Sequence, residues 1–354
     1  MIPRDPRRAI LTLVSKAFGE LALIQQIRSG WGGTVRGQHT RLGIGDDCAL
    51  LRPARGHDLA VTTDLLLENR HFRRDWHSAA SAGHRALARG LSDLAAMGAT
   101  PLAAFLSLAL PPTQLATPAG RRWVKSFFAG LRDLGARYRV GLAGGDTSAS
   151  PCDLILADII LVGSVPTDCG LRRSGARAGD LLYVTGALGG AAAELRTLAT
   201  RTRPSSARPS LAHPNPHPQL FPQPRVAVGR SLLRRQFAHA AIDLSDGLSS
   251  DLAHLCRASG LAGEVDEAAI PLHPLAFRAA TSIHEARTLA LNGGEDYELL
   301  FAAAPEARVP RTIAGVPVTR IGRLLPGKGL TLIAADGTRG PLISGGWEHL
   351  TRST

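Results

Sequence analysis

The stretch Ala241-Ile242-Asp243-Leu244-Ser245-Asp246-Gly247-Leu248 constrains this chain more than any other. A short apolar run reads as a strand. It ends in two carboxylates around a hydroxyl, then a glycine, then the start of a helical pattern. Two readings are open. Ser245 or Asp246 is a good N-cap for a helix that starts near Gly247. Alternatively, such a turn aims several oxygens at one point, and clustered oxygens are what Mg²⁺ takes. Recurrence favours the second reading. Strand-like runs end in acidic residues at Gly45-Asp46-Asp47, Thr62-Thr63-Asp64, Gly144-Gly145-Asp146 and Gly293-Gly294-Glu295-Asp296. Ser92-Asp93 adds a carboxylate inside a helical pattern, where on its own it reads as a solvated residue.

Length and composition narrow the classes. At 354 residues the chain is long enough for two domains of ordinary size. A hydrophobic fraction of 44% with 20% charged residues is that of a soluble globular protein. The formal charge of +12 comes almost wholly from arginine, because lysine occurs only at Lys16, Lys125 and Lys328. The basic residues are scattered, without long runs or interleaved aromatics, so a nucleic-acid partner is not expected. No G-x-x-x-x-G-K-[ST] sequence is present, which excludes a P-loop. Cys48, Cys152, Cys169 and Cys256 fit neither a zinc site nor a disulfide framework, and a reducing cytoplasm is the expected compartment. Arg4, Arg7 and Arg8 precede an apolar stretch that superficially resembles a signal peptide, but Lys16 and Glu20 interrupt it. No run approaches the ~20 apolar residues of a membrane span.

Periodicity predicts helices over 19–27, 84–98, 122–138, 187–198, 226–237 and 248–258. It predicts strands over 48–51, 59–62, 103–110, 154–165, 181–185, 318–321 and 330–333, with 289–301 as a loop-strand unit. Leu87, Leu91 and Leu94 form one buried helical stripe, and Phe127, Leu131 and Leu134 another. Elements in this order give an α+β pattern, with a boundary near 170–180. Seven prolines between Pro204 and Pro224 exclude a regular element, so that segment is expected to be a surface loop and a tolerated insertion. His71 lies in a loop and carries no assignment by itself. Trp347, in a Gly-rich tail, is either a core plug or a stacking surface.

Carboxylates converging on one cleft repel one another unless cations lie between them. Mg²⁺ with a polyphosphate satisfies that condition. A glycosidase needs only a carboxylate pair and usually aromatic platforms, and the H-E-x-x-H motif of a zinc hydrolase is not in the sequence.

At this point a resemblance is plain. Gly43-Ile44-Gly45-Asp46-Asp47, Thr62-Thr63-Asp64, Asn69-x-His71-Phe72, Leu91-Ser92-Asp93-Leu94-Ala95-Ala96-Met97-Gly98-Ala99 and Gly144-Gly145-Asp146-Thr147 carry its first half. Arg173-Ser174-Gly175-Ala176, Gly179-Asp180-Leu181, Ile242-Asp243-Leu244-Ser245-Asp246-Gly247 and Gly293-Gly294-Glu295-Asp296-Tyr297-Glu298 carry its second. In this order the motifs resemble the thiamine-monophosphate kinase family, within the superfamily of aminoimidazole ribonucleotide synthetase. The resemblance implies a two-domain α+β subunit. Residues 19–168 would be the ATP- and Mg²⁺-binding and dimerisation domain, pairing through a shared β-barrel in a homodimer. Residues 169–354 would be an α/β sandwich-like domain, with 1–18 and 204–224 as additions. The reaction implied is transfer of the γ-phosphoryl of ATP to thiamine monophosphate. Asp47, Thr62, Thr63, Asp64, Asp93, Asp146, Asp243 and Asp246 would hold several Mg²⁺ ions, with K⁺ as a further candidate cofactor. Gly145, Asp146, Arg173 and Ser245 would contact ATP, and His71, Glu295 and Trp347 the thiamine substrate. Thr62 stands where the family often has Ser, and Trp347 where it often has Tyr. No membrane or nucleic-acid partner is implied. The rivals are another ATP-using member of the superfamily and a non-catalytic nucleotide or thiamine-phosphate binder.

Overall fold

The computed structural model describes residues 20–31, 39–44 and 48–346. Asp46, Asp47 and Trp347 lie outside the described residues, as does the stretch 1–18. The chain divides into two compact units. Unit 1 holds residues 1–54, 61–90 and 101–162, and unit 2 holds 55–60, 91–100 and 163–354.

Unit 1 is built on an open four-stranded sheet. Its strands are β3 (His57–Leu67), β4 (Thr100–Leu110), β5 (Gly141–Ala149) and β6 (Leu156–Pro166), in the order β3-β6-β4-β5. A small hairpin of β1 (Thr40–Leu42) and β2 (Leu50–Leu51) precedes it, after helix α1 (Glu20–Trp31). Helices α2 (Ala79–Ala96), whose last turns from Leu91 on belong to unit 2, and α4 (Pro118–Tyr138) bury the stripes predicted for them: Leu87, Leu91, Leu94, Phe127, Leu131 and Leu134 are each buried. The short α3 (Pro112–Ala116) lies between. Helix α4 starts earlier than periodicity predicted. Pro118 takes the first helical position, and the Thr117 hydroxyl accepts the Gly120 amide proton at 3.0 Å, so cap chemistry outweighs apolar spacing. Glycines bring α2 and α4 into backbone contact, since a Cβ on Gly130 would sit 1.9 Å from the Ala80 carbonyl oxygen.

Unit 2 is built on an eight-stranded sheet. Its strands are β7 (Leu181–Thr185), β8 (Ala240–Asp243), β9 (Leu261–Asp266), β10 (Leu299–Ala303), β12 (Val316–Pro326), β13 (Leu330–Ile333) and β14 (Arg339–Pro341), ordered β14-β13-β9-β12-β7-β10-β8. Strand β11 (Thr312–Ile313) pairs with β12. Most neighbours are antiparallel, and β13 runs parallel to β9. Helices α5 (Gly190–Leu198), α6 (Val226–Arg234), α7 (Leu248–Ser259), α8 (Pro274–Ala279) and α9 (Ile283–Asn292) complete it. Leu252 and Leu255 of α7 and Leu291 of α9 pack with Leu182, Ile242, Val265, Leu300 and Ile321 in one core.

The mixed α+β fold in two units is the one expected. Several local expectations fail. Thr62-Thr63-Asp64 and Gly144-Gly145-Asp146 do not end strands. They lie inside β3 and β5, and the parallel ladder with β4 runs on through Gly145 and Asp146 to Ala149. Gly293–Asp296 follows a helix instead of ending a strand. That helix, α9, is capped by Ser282, whose hydroxyl accepts the Glu285 amide proton at 3.2 Å. Its short run of mixed His, Glu, Arg and Thr hides the period. The expected surface loop at 204–224 is irregular, but Asn215, Gln219, Leu220 and Phe221 are buried. The Glu194 carboxylate accepts the amide protons of Gln219 (2.8 Å) and Leu220 (3.3 Å), which is how an irregular backbone is satisfied inside a protein.

Candidate active site

Strand β8 ends where expected, at Asp243, and its last side chain is 3% exposed. The Ser92 hydroxyl donates to Asp243 Oδ2 at 2.7 Å, and both residues belong to unit 2. The Leu-Ser-Asp run of α2 thus reaches the Asp-Leu-Ser-Asp-Gly turn, although the two are 151 residues apart. Asp93, the next residue, is half-buried and not fully solvated.

The capping reading of Ser245 and Asp246 is overturned. Gly247 occupies the N-cap position of α7 with φ 115° and offers no side chain. Asp251, one turn inside the helix, reaches back instead, and its Oδ2 accepts the amide protons of Asp246 and Gly247, each at 3.1 Å. The side chains of Ser245 and Asp246 stay half-buried and unused as caps. Burial pushes the Asp251 carboxyl up to about 8, with the charges of Asp243 and Asp246 adding to it.

The Gly293–Glu298 loop runs beside this turn. Glu295 N donates to the Ser245 carbonyl (2.8 Å), Tyr297 N to the Leu244 carbonyl (2.9 Å), and Leu244 N to the Glu298 carbonyl (2.8 Å). Glu295 and Tyr297 take left-handed backbone angles, φ 68° and 51°, which non-glycine residues adopt only under constraint. Asp296 between them turns inward to the start of α5, accepting from Gly189 N at 2.6 Å and Ala191 N at 3.0 Å. Its burial pushes the carboxyl up to about 7 against the pull of those bonds. The Glu295 carboxylate accepts from Gln219 Nε2 at 2.8 Å. The tail also arrives here. Gly345 N and Gly346 N donate to the hydroxyls of Ser249 and Ser250, at 3.2 and 3.1 Å, over the start of α7. Arg173 stands apart, in an exposed 3₁₀ turn whose carbonyl accepts from Ser259.

In unit 1, a cavity of about 540 Å³ is lined by Ile24, Ile27, Phe105, Leu106, Phe128, Leu142 and the Gly144–Thr147 run. Gly145 is required there: φ is 151°, and a Cβ would meet the Leu106 carbonyl oxygen at 2.0 Å. Asp146 is exposed at the rim and accepts from Ser148 Oγ at 3.1 Å. Alternation along β3 separates Thr62 and Asp64, half-buried on one face, from exposed Thr63 on the other. Asp64 is paired with Arg89, at 2.8 Å to Nε and 2.5 Å to Nη2. His71 Nδ1 accepts the Leu67 amide proton at 3.0 Å, which places the ring proton on Nε2, and its carbonyl accepts from buried Arg85 at 2.8 Å.

Unit 2 therefore gathers Ser92, Asp243, Ser245, Asp246 and Glu295, and unit 1 sets Gly145 and Asp146 on one cavity. Among the described residues, no group of three or more His, Cys, Asp or Glu is placed to hold a metal ion. The donor chemistry fits Mg²⁺ all the same, because carboxylates and hydroxyls are the hard oxygens it takes, with no thiolate or imidazole in the set. Sequence reasoning missed Phe105, Phe128, Arg89, Asp251 and Gln219. Only the two Phe carried a signal, as rare aromatics upstream of the Gly-Gly-Asp strand.

Residues 45–165 match the model of the AIR synthase related protein, N-terminal domain, and residues 177–335 that of its C-terminal domain. Thiamine-monophosphate kinase of Escherichia coli (strain K12) is 41% identical over 344 residues, covering 94% of this chain and 98% of the relative. The crystal structure of thiamine-monophosphate kinase from Stenotrophomonas maltophilia K279a is 37% identical with TM-score 0.75, covering 90% of this chain and 97% of that one. AaThiL complexed with AMPPCP and TMP is 27% identical with TM-score 0.71, covering 99% and 100%. The chain belongs to the thiamine-monophosphate kinase family.

Proposed function

We propose that this chain transfers the γ-phosphoryl group of ATP to the phosphate of thiamine monophosphate, giving thiamine diphosphate. One observation carries the reading: a relative matched along 99% of this chain holds AMPPCP and TMP together. The acceptor is a phosphate monoester with a second pKa near ~6, so it is largely a dianion at neutral pH. It needs no general base. It needs two anionic groups brought together and held in line. Asp47, Thr62, Thr63, Asp64, Asp93, Asp146, Asp243 and Asp246 would hold Mg²⁺, which when bound neutralises charge between the phosphates. The Gly145–Asp146 cavity, with Phe105 and Phe128 in its wall, suits the flat base of a nucleotide, and Ser245 and Arg173 are further proposed ATP contacts. His71, Glu295 and Trp347 would take the thiamine half. A cytoplasmic setting is part of the proposal: all four cysteines are free, the state a reducing compartment maintains. No helix among the described residues is long and apolar enough to cross a membrane. Incubation with Mg²⁺, ATP and thiamine monophosphate is expected to yield thiamine diphosphate and ADP in equal amounts. No thiamine diphosphate under these conditions would overturn the reading.

The proposal extends to a homodimer with a shared β-barrel. Strand β3 carries Leu59, Val61 and Leu65 on one face, 51%, 62% and 50% exposed. Strand β3 is an edge of its sheet and leaves these apolar side chains, with Thr63 among them, open to a partner. Sedimentation equilibrium is expected to return the mass of two subunits, and the Leu65→Glu variant that of one. A parent chain that sediments as a single subunit would contradict the dimer.

A further inference from the structure

We propose that Gln219 is a positioning residue for Glu295, and that the Pro-rich segment is a strap that delivers it. The proposal rests on the reading of Glu295 as a contact to the thiamine half of the substrate. The strap is anchored before it reaches Glu295. Glu194 on α5 is buried, and its Oε2 accepts the amide protons of Gln219 and Leu220 while its Oε1 meets His217 Nδ1 at 2.9 Å. Asn215 spans the strap's own turn, donating from Nδ2 to the Phe221 carbonyl at 2.8 Å, and its carbonyl accepts from His273 Nε2 at 3.0 Å. Gln219 is therefore fixed at its backbone. Its side chain is 1% exposed and donates from Nε2 to Glu295 Oε2 at 2.8 Å.

Glu295 is held from the other side by its backbone, at the Ser245 carbonyl. Its left-handed conformation divides the loop's carboxylates: Asp296 turns to α5 and Glu295 to the strap. A half-buried carboxylate on a flexible side chain would otherwise sample several rotamers, and ordering it on binding would weaken affinity. The hydrogen bond from the Gln219 side-chain amide fixes that carboxylate beforehand. Prolines suit the task, because they hold an irregular backbone with few amide protons to satisfy.

The test uses the full chain with Mg²⁺, ATP and thiamine monophosphate. Gln219→Met keeps the length and removes the donor. It is expected to raise KM for thiamine monophosphate about tenfold, the scale of a hydrogen bond to a charged group, with KM for ATP changed less than about twofold. Glu295→Ala should raise the same KM, and adding Gln219→Met to it should change nothing further. If Glu295→Ala raises KM and Gln219→Met does not, the positioning role fails and the reading of Glu295 stands. If Glu295→Ala itself leaves KM unchanged, the reading of Glu295 fails and takes the proposal with it. Multiplicative effects in the double variant, or equal rises in both KM values with a lowered Tm, would show that Gln219 acts elsewhere and overturn the proposal. Gln219→Asn, which keeps the amide but falls one methylene short, answers the same question should the Met variant not fold.

Discussion

Asp243→Asn is expected to lower kcat by about 10²–10³-fold while leaving Tm close to that of the parent. The substitution changes charge and little else. An Asn side chain keeps an oxygen where Asp243 Oδ2 accepts the Ser92 hydroxyl at 2.7 Å, so the contact between α2 and the end of β8 survives. What disappears is a buried negative charge that belongs to the proposed Mg²⁺ set. Its loss also relieves Asp251, whose carboxyl is pushed up to about 8 by burial and then by Asp243 and Asp246. That relief offsets part of any structural cost. Turnover within about twofold of the parent at limiting Mg²⁺ would mean that Asp243 is only a partner for Ser92.

Arg225→Met is expected to cost about 3–5 kcal/mol of stability, the scale of a buried ion pair broken on one side. Arg225 closes the strap. Its guanidinium makes a bidentate pair with the Glu298 carboxylate, and the side chains are 7% and 5% exposed. Glu298 Oε2 also accepts the buried Thr185 hydroxyl at 2.6 Å, which leaves the carboxylate no route to water once Arg225 is gone. Removing both charges in Arg225→Met with Glu298→Leu should recover a large part of the loss, because no unpaired charge remains. The Thr185 hydroxyl still accepts the Leu299 amide proton at 2.8 Å but loses the acceptor for its own proton, which prevents full recovery. Urea unfolding of Arg225→Met, Glu298→Leu and the double variant measures the cycle. A loss below about 1 kcal/mol for Arg225→Met would show that Glu298 finds another partner or takes up a proton.

Local signals carried much of this far. The apolar stripes of α2 and α4 are buried as their spacing requires, and β8 ends at Asp243 where the apolar run gives way to carboxylates. The acidic grammar itself was over-read. Asp64 and Asp146 sit inside strands, because a glycine or threonine before an aspartate does not stop a ladder whose neighbouring strand continues. Ser245 and Asp246 looked like caps because capping rules are local, and Asp251 reaches back from inside the helix to take that work. Gln219 had no signal at all. Its meaning depends on Glu194 and Glu295, 25 and 76 residues away, and the prolines around it suggested only a loop.

The most direct measurement follows the phosphoryl group itself. The chain is incubated with Mg²⁺, thiamine monophosphate and ATP that carries radioactive phosphorus at the γ position, and the products are separated. The account requires the label in the terminal phosphate of thiamine diphosphate, in step with ADP. Label found only in inorganic phosphate, or retained in ATP, would contradict direct transfer between the two substrates.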